Sequence, residues 1–389
     1  MRDDGSVNQP LADRAGLAGA RRVVVKVGSS SLTAADGRLS LPALHTLVEI
    51  LAARGRRGQQ IVLVSSGAIA AGITPLGLPA KPKDLATAQA TASVGQGILV
   101  ARYTEAFTYY GQQVGQVLLT AEDLIRRTNY ANAQRALERL LTLGVVPIVN
   151  ENDTVATDEI RFGDNDRLAA LVSHLVRADA LVLLTDVEGL YDGPPSDGGA
   201  RLVRAVTSPA DLAGVEVTAR GSDIGTGGMV TKLDAASIAT GAGIPVVLTS
   251  AALARPALEG EDVGTWFAAT GKRKSARRLW LAHAAQVRGR LHIDAGAARA
   301  VTDGKRSLLA AGVVGVDGDF EPGDVVELVG PEGVVARGLV AYGSGEVPRM
   351  MGKSTDQLRG AGHDDHPRAV VHRDDLAQVR VRTRARAGR

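Results

Sequence analysis

Thr226-Gly227-Gly228-Met229-Val230-Thr231-Lys232 places two adjacent glycines and a lysine at the head of the helix-favouring run Leu233 to Ala239. Glycines let the backbone approach a polyanion closely, and N–H groups freed by a tight turn form an anion-binding nest. A lysine beside a helix N-terminus, which carries partial positive charge, completes a phosphate cradle. A glycine-rich surface turn with a solvated lysine has the same composition, so the stretch takes its meaning from its partners. Lys26 is one of them, interrupting Val23-Val24-Val25-Lys26-Val27 just ahead of Gly28-Ser29-Ser30-Ser31. A lysine inside a valine run is costly to bury without an anion, although an edge-strand lysine that snorkels to water has the same pattern. Ser65-Ser66-Gly67 ends a second apolar run with two hydroxyls suited to a carboxylate or phosphate, and Ser66 alone equally suits a helix N-cap. Acids and amides gather in Asn150-Glu151-Asn152-Asp153-Thr154 and in Phe162-Gly163-Asp164-Asn165-Asp166-Arg167. Such groups bind an amino group, a carboxylate or Mg2+, and tight turns also favour them. Thr185-Asp186 closes a further apolar run at a place suited to a nucleotide.

These residues need a scaffold that brings strand ends together. Short apolar strands are expected at 22–27, 60–64, 113–119, 145–149, 180–185 and 244–248. Helical patterns lie between them at 41–54, 84–109, 131–143, 166–177 and 229–241. The alternation predicts an α/β fold, a mostly parallel sheet sandwiched by helices. Open sheets of that kind bind ligands beyond the carboxyl ends of their strands, where Lys26, Ser66, Asp153 and Thr185 all fall. Downstream the pattern changes to Gly-punctuated segments such as Gly312 to Val316 and Asp324 to Val329, after a short helix at Asp294 to Ala300. These predict a small, separate β-rich domain.

Taken together, VVVKVGSSSLT, VSSGAIAAG, PIVNENDTVA, FGDND, LLTDVEGLY and GTGGMVTK, in this order from about residue 22 to 250, resemble the amino acid kinase family, and within it the members that phosphorylate glutamate. Residues from Arg290 to about Asp375 resemble a PUA domain. The resemblance implies ATP-dependent phosphorylation of the γ-carboxylate of L-glutamate, the first step of proline synthesis, with Mg2+ carried by ATP. It implies Lys26, Lys232 and Asp166 as catalytic residues, the aspartate orienting the lysines. Ser66, Asp153 and Asn165 match the glutamate-binding positions. Lys26, Gly28, Thr185, Asp186, Thr226, Gly227, Gly228, Met229, Val230, Thr231 and Lys232 match the ATP-binding positions. Other acceptors used in the family, N-acetylglutamate and UMP, remain alternatives. The acyl-phosphate product is labile, so rapid hand-off to a γ-glutamyl phosphate reductase is expected, as is assembly into a homo-oligomer.

Composition bounds the rest. The 389 residues suffice for two domains, with expected boundaries at 1–20 (a disordered leader), 21–268 (kinase), 269–282 (a basic linker), 283–378 (PUA-like) and 379–389 (a basic tail). No cysteine is present, so neither disulfides nor thiolate chemistry enter. The N-terminal residues lack the apolar centre of a secretory signal, and no apolar run reaches about 18 residues. A cytoplasmic protein with no membrane partner is expected. A net charge of +3 makes no strong argument for nucleic acid. The basic knot Lys272-Arg273-Lys274 with Arg277-Arg278, and the arginine-rich tail, keep RNA open as a partner. Gly352-Lys353-Ser354 lacks the earlier glycine of a P-loop, with Val347 in its place. His363-Asp364-Asp365-His366 lacks the ligand spacing of a metal site and reads as a solvated loop.

Overall fold

The computed structural model describes residues 10–34, 37–120, 123–124, 127–155, 165–193, 199–212, 215, 228–270, 281, 287–303, 306–354, 357–358 and 369–378. The chain divides into two compact units, Met1–Ala276 and Arg277–Arg389, each described by itself.

The first unit is built on strands β1 (Arg22–Val27), β2 (Gln60–Ser65), β3 (Val114–Leu119), β4 (Val146–Glu151), β5 (Ala180–Thr185), β6 (Ala205–Val206), β7 (Val246–Ser250) and β8 (Thr265–Phe267). They form one sheet in the order β3-β4-β2-β1-β5-β7-β8-β6. The six strands from β3 to β7 in that order are parallel to their neighbours. β8 runs antiparallel to β7, and β6 runs parallel to β8, so the last two strands of the order are reversed against the other six. Every residue of β1, β4 and β5 is buried, as strands covered on both faces require.

Helices supply both covers. Alternation puts Val23, Val25 and Val27 on one face, where they share a core with Leu44, Val48 and Leu51 of α2 (Leu41–Arg56, following α1, Ser29–Leu32). Leu99, Tyr103 and Phe107 of α4 (Leu85–Thr108) join that core, next to the short α3 (Ala68–Ile73). Val24 and Lys26 point to the other face, towards α6 (Asn165–Leu175), which follows α5 (Arg127–Thr142) and packs against α7 (Met229–Gly241). Local chemistry starts these helices well: Ser40 caps α2, with Pro42 in its first turn, and Asp84 caps α4 by accepting from Thr87 N at 2.9 Å.

The expected disordered leader at 1–20 needs correcting. Residues 1–9 lie outside the described residues, but Arg14–Gly19 form a 3-10 helix whose Leu17 is fully buried. Its anchor is remote in sequence. Arg54 of α2, itself buried, donates to the carbonyls of Leu17 at 3.0 Å, Ala20 at 3.2 Å and Leu258 at 2.5 Å. Burial lowers the Arg54 pKa to about 10, and the three carbonyl dipoles solvate its charge in the interior. Arg14 adds an ion pair with Asp262 at 2.6 Å.

The second unit is a five-stranded sheet, β10-β9-β11-β12-β13, of β9 (Gly289–Ile293), β10 (Val313–Gly318), β11 (Val325–Gly330), β12 (Gly333–Val340) and β13 (Val371–Gln378). Its core contains Leu291, Val326, Leu328, Ala336, Val340 and Val371. Asp294 caps the helix Ala295–Thr302 by accepting from Ala297 N at 2.7 Å. Gly352-Lys353-Ser354 follows a four-residue helix, Val347–Met350, in this unit, with Lys353 exposed. The residues His363 to His366 and the basic tail lie outside the described residues.

Candidate active site

The parallel strands β1, β2, β4 and β5 end along one edge of the first unit, and the predicted chemistry collects there. Lys26 occupies the last turn of pleat in β1, and its side chain is 4% exposed. Opposite it stands Asp166, in the first turn of α6, where the helix dipole favours an anion. Lys26 Nζ lies 2.5 Å from Asp166 Oδ1. Lys232 Nζ, in the first turn of α7, lies 3.2 Å from Asp166 Oδ2. Thr231 Oγ1 lies 3.1 Å from the same Oδ2. The Asp166 carboxylate is completely buried, so its two ammonium partners hold a charge that burial alone would penalise. Two lysines around one carboxylate leave an excess of positive charge, as a polyanionic ligand needs.

Gly228 N-caps α7, and its carbonyl accepts from Thr231 Oγ1 at 2.8 Å. Met229 and Val230 open the helix, with Val230 exposed. Thr226 and Gly227 lie outside the described residues. A Cβ at Gly28 would sit 3.6 Å from Lys26 Nζ, in space an anion needs to reach that ammonium. Thr185, at the end of β5, is buried and donates to Asp186 Oδ1 at 2.8 Å, while Asp186 itself is exposed.

The second cluster adjoins the first through neighbouring residues of α6. Asn165 Nδ2 donates to Ser66 Oγ at 2.9 Å and to Asn150 Oδ1 at 2.8 Å. Asp153 sits in the turn after β4, half-buried. Gly163 and Asp164 lie outside the described residues.

Some contributors were not singled out in the sequence. Asn150 Nδ2 donates to Gln96 Oε1 of α4 at 2.8 Å, and both side chains are buried. Ser65 bonds the Tyr103 hydroxyl at 2.8 Å, and burial pushes the Tyr103 pKa up. The close seat of α4 depends on two glycines: a Cβ at Gly95 would fall 1.8 Å from Ala68 O, and one at Gly72 would fall 2.1 Å from Thr91 O. This contact holds α3, and with it the Ser66 loop, beside Gln96. No signal in the alanine-rich α4 sequence marked Gln96, whose burial is a property of the fold. Among the described residues, no group of three or more His, Asp or Glu is placed to hold a metal ion. Among them also, no helix is long and apolar enough to cross a membrane.

Comparison with known proteins agrees with this arrangement. The amino acid kinase family matches residues 21–250, and the PUA domain family matches residues 289–361. The glutamate 5-kinase of Streptomyces coelicolor is 59% identical over 359 residues, covering 92% of this chain and 96% of its own length. That of Streptomyces avermitilis is 58% identical, covering 94% and 98%. That of Thermobifida fusca is 57% identical, covering 94% and 95%. With a family match running from the first strand of the sheet to the end of β7, and relatives aligned over nearly their whole lengths, this chain belongs to the amino acid kinase family.

Proposed function

We propose that this protein transfers the γ-phosphoryl group of ATP to the γ-carboxylate of L-glutamate, yielding γ-glutamyl phosphate and ADP, the first step of proline synthesis. The observation that carries this reading is Asp166 held between Lys26 and Lys232. The names of the relatives supply the acceptor.

A glutamate side chain has a pKa of about 4.3, so the nucleophile is ionised near neutrality and needs no general base. A carboxylate oxygen forms the new bond to the γ-phosphorus while the bond to the β,γ-bridging oxygen breaks and its electron pair leaves with ADP. The obstacle is repulsion between two anions. Lys26 and Lys232 offset it, one towards the attacking carboxylate and one towards the nucleotide, where charge builds on the transferring group. Asp166 acts through them, fixing both ammonium groups without touching the substrates.

Asp153 pairs with the α-ammonium and Ser66 meets a carboxylate, while Asn165, with both amide hydrogens committed to Ser66 and Asn150, offers its oxygen to the ammonium. Thr185, Asp186, Gly28 and the 226–232 loop take the nucleotide. Mg2+ fits as a companion of ATP, held by the phosphates and water as that ion prefers, because Asp166 is already committed to two lysines. When bound it neutralises phosphate charge. The labile acyl phosphate suits direct hand-off to a reductase in the cytoplasm, and a homo-oligomer remains part of the proposal. RNA binding by the second unit is read as salt-sensitive retardation of RNA.

The test is ATP-dependent hydroxamate formation with L-glutamate, alongside phosphate transfer to N-acetylglutamate and UMP. Turnover with L-glutamate is expected. Turnover only with either of the other two reassigns the acceptor.

A further inference from the structure

The amides behind the site form a chain whose polarity is set at one fixed point. The Glu151 backbone N–H can only donate, and it donates to Asn150 at 2.9 Å. The Asn150 atom facing it is therefore the carbonyl oxygen, and the opposite atom is the amide nitrogen. That nitrogen requires an acceptor, which Gln96 Oε1 provides at 2.8 Å. The same Asn150 oxygen requires a donor from α6, and Asn165 Nδ2 provides it at 2.8 Å. The second amide hydrogen of Asn165 goes to Ser66 Oγ at 2.9 Å. Two consequences follow at the far end. Asn165 Oδ1, buried and without a hydrogen-bond partner, is left to accept. The Ser66 hydroxyl, its oxygen engaged by Asn165, is left to donate. An outward acceptor beside an outward donor matches the ammonium and carboxylate of an α-amino acid.

We propose that Gln96, 8% exposed on α4 and remote from the lysines in sequence, is a positioning residue for the amino-acid substrate: by holding Asn150 in one orientation, it sets the polarity that Asn165 and Ser66 present. The inference rests on the proposed use of L-glutamate as acceptor. Without the Gln96 acceptor, Asn150 loses the bond that immobilises its nitrogen, and Asn165 Nδ2 loses a fixed partner. Nucleotide binding, which uses other strand ends, is untouched.

The experiment compares steady-state kinetics of the full-length protein, Gln96→Met, Asn165→Ala and the double variant, with melting temperatures alongside. Methionine keeps the buried volume and removes the acceptor. Gln96→Met is expected to raise KM for L-glutamate roughly tenfold, the scale of one lost buried hydrogen bond, and to leave KM for ATP within about twofold. In the Asn165→Ala background the same change is expected to add less than about twofold, because the relay is already cut. An unmoved glutamate KM, an equal rise in both KM values, or the full factor persisting without Asn165 would each overturn the inference. Should Gln96→Met fail to fold, Asn150→Ser cuts the relay one link on. It must raise the glutamate KM selectively, and an unchanged value contradicts the proposal. Absence of glutamate-dependent turnover in the unsubstituted protein contradicts the functional reading itself, whereas active protein with an insensitive Gln96→Met contradicts this inference alone.

Discussion

Arg167 donates to Asp234 across 2.6 Å and ties α6 to α7 one residue beyond Asp166 and two residues beyond Lys232. The tie spans the two helices that carry the lysine–aspartate cluster, so it holds their first turns in register. The pair is partly exposed, with side chains 28% and 41% accessible, which limits its stabilisation to at most about 1 kcal/mol. Its worth lies in geometry. Arg167→Met is expected to lower kcat severalfold with a melting temperature within a few degrees of the parent, measured by ADP release and thermal denaturation. A large loss of stability with unchanged kcat in the folded fraction would make the pair structural only.

Asp153→Asn is expected to weaken L-glutamate and spare ATP. The substitution keeps the shape and removes the charge proposed to pair with the ammonium, a partner worth about 1.5–3 kcal/mol when partly desolvated. Separate titrations of glutamate and ATP decide the matter. An ATP KM that rises while the glutamate KM stays put would exchange the two halves of the site.

Much of the sheet was legible because its central strands are covered on both faces and read as continuous Val, Leu and Ile runs. The short β6 and β8 have no such run, β9 and most of β12 alternate buried with less buried residues around Gly, Arg and His, and β13 carries His372, Arg373 and two aspartates in its sequence. The N-terminal segment misled for a physical reason. Its composition is that of a leader, and its order comes from Arg54, a donor placed far along the chain. The site divides in the same way. Lys26, Asp166 and Lys232 announce themselves as charges inside apolar or glycine-marked stretches. Gln96 does not, because its partner depends on which strand end α4 packs against, and that packing is set by the bare backbones of Gly72 and Gly95.

Glu138 offers a pH test. Its carboxylate accepts from Arg22 Nη1 at 2.8 Å and Nη2 at 2.9 Å, and these bonds hold its pKa below the ordinary 4.5. A carboxyl whose folded pKa is depressed adds stability above its unfolded pKa and loses it as pH falls through the folded value. Glu138 is half-exposed, so the contribution is at most about 1 kcal/mol. Urea denaturation should show Glu138→Gln less stable than the parent at about pH 7, with the gap closing as pH falls through the folded pKa of Glu138. A gap that persists in acid would mean that the pair does not stabilise through charge.

Every assigned residue falls within Met1–Ala276. A protein ending at residue 276 is therefore expected to fold and to release ADP in response to glutamate. A well-folded but inactive product would assign part of the catalytic apparatus to the second unit.

The central claim is that buried cations at Asp166 drive phosphoryl transfer to glutamate. The most direct measurement is kcat for ATP-dependent hydroxamate formation from L-glutamate by the parent, Lys232→Ala and Ser237→Ala, the last an exposed residue on the same helix. Removing a preorganised cation is expected to cut kcat by roughly 10²–10³-fold, with Ser237→Ala close to the parent. A folded Lys232→Ala protein that keeps more than about a third of the parent kcat would contradict the account, because one lost electrostatic stabiliser should cost far more.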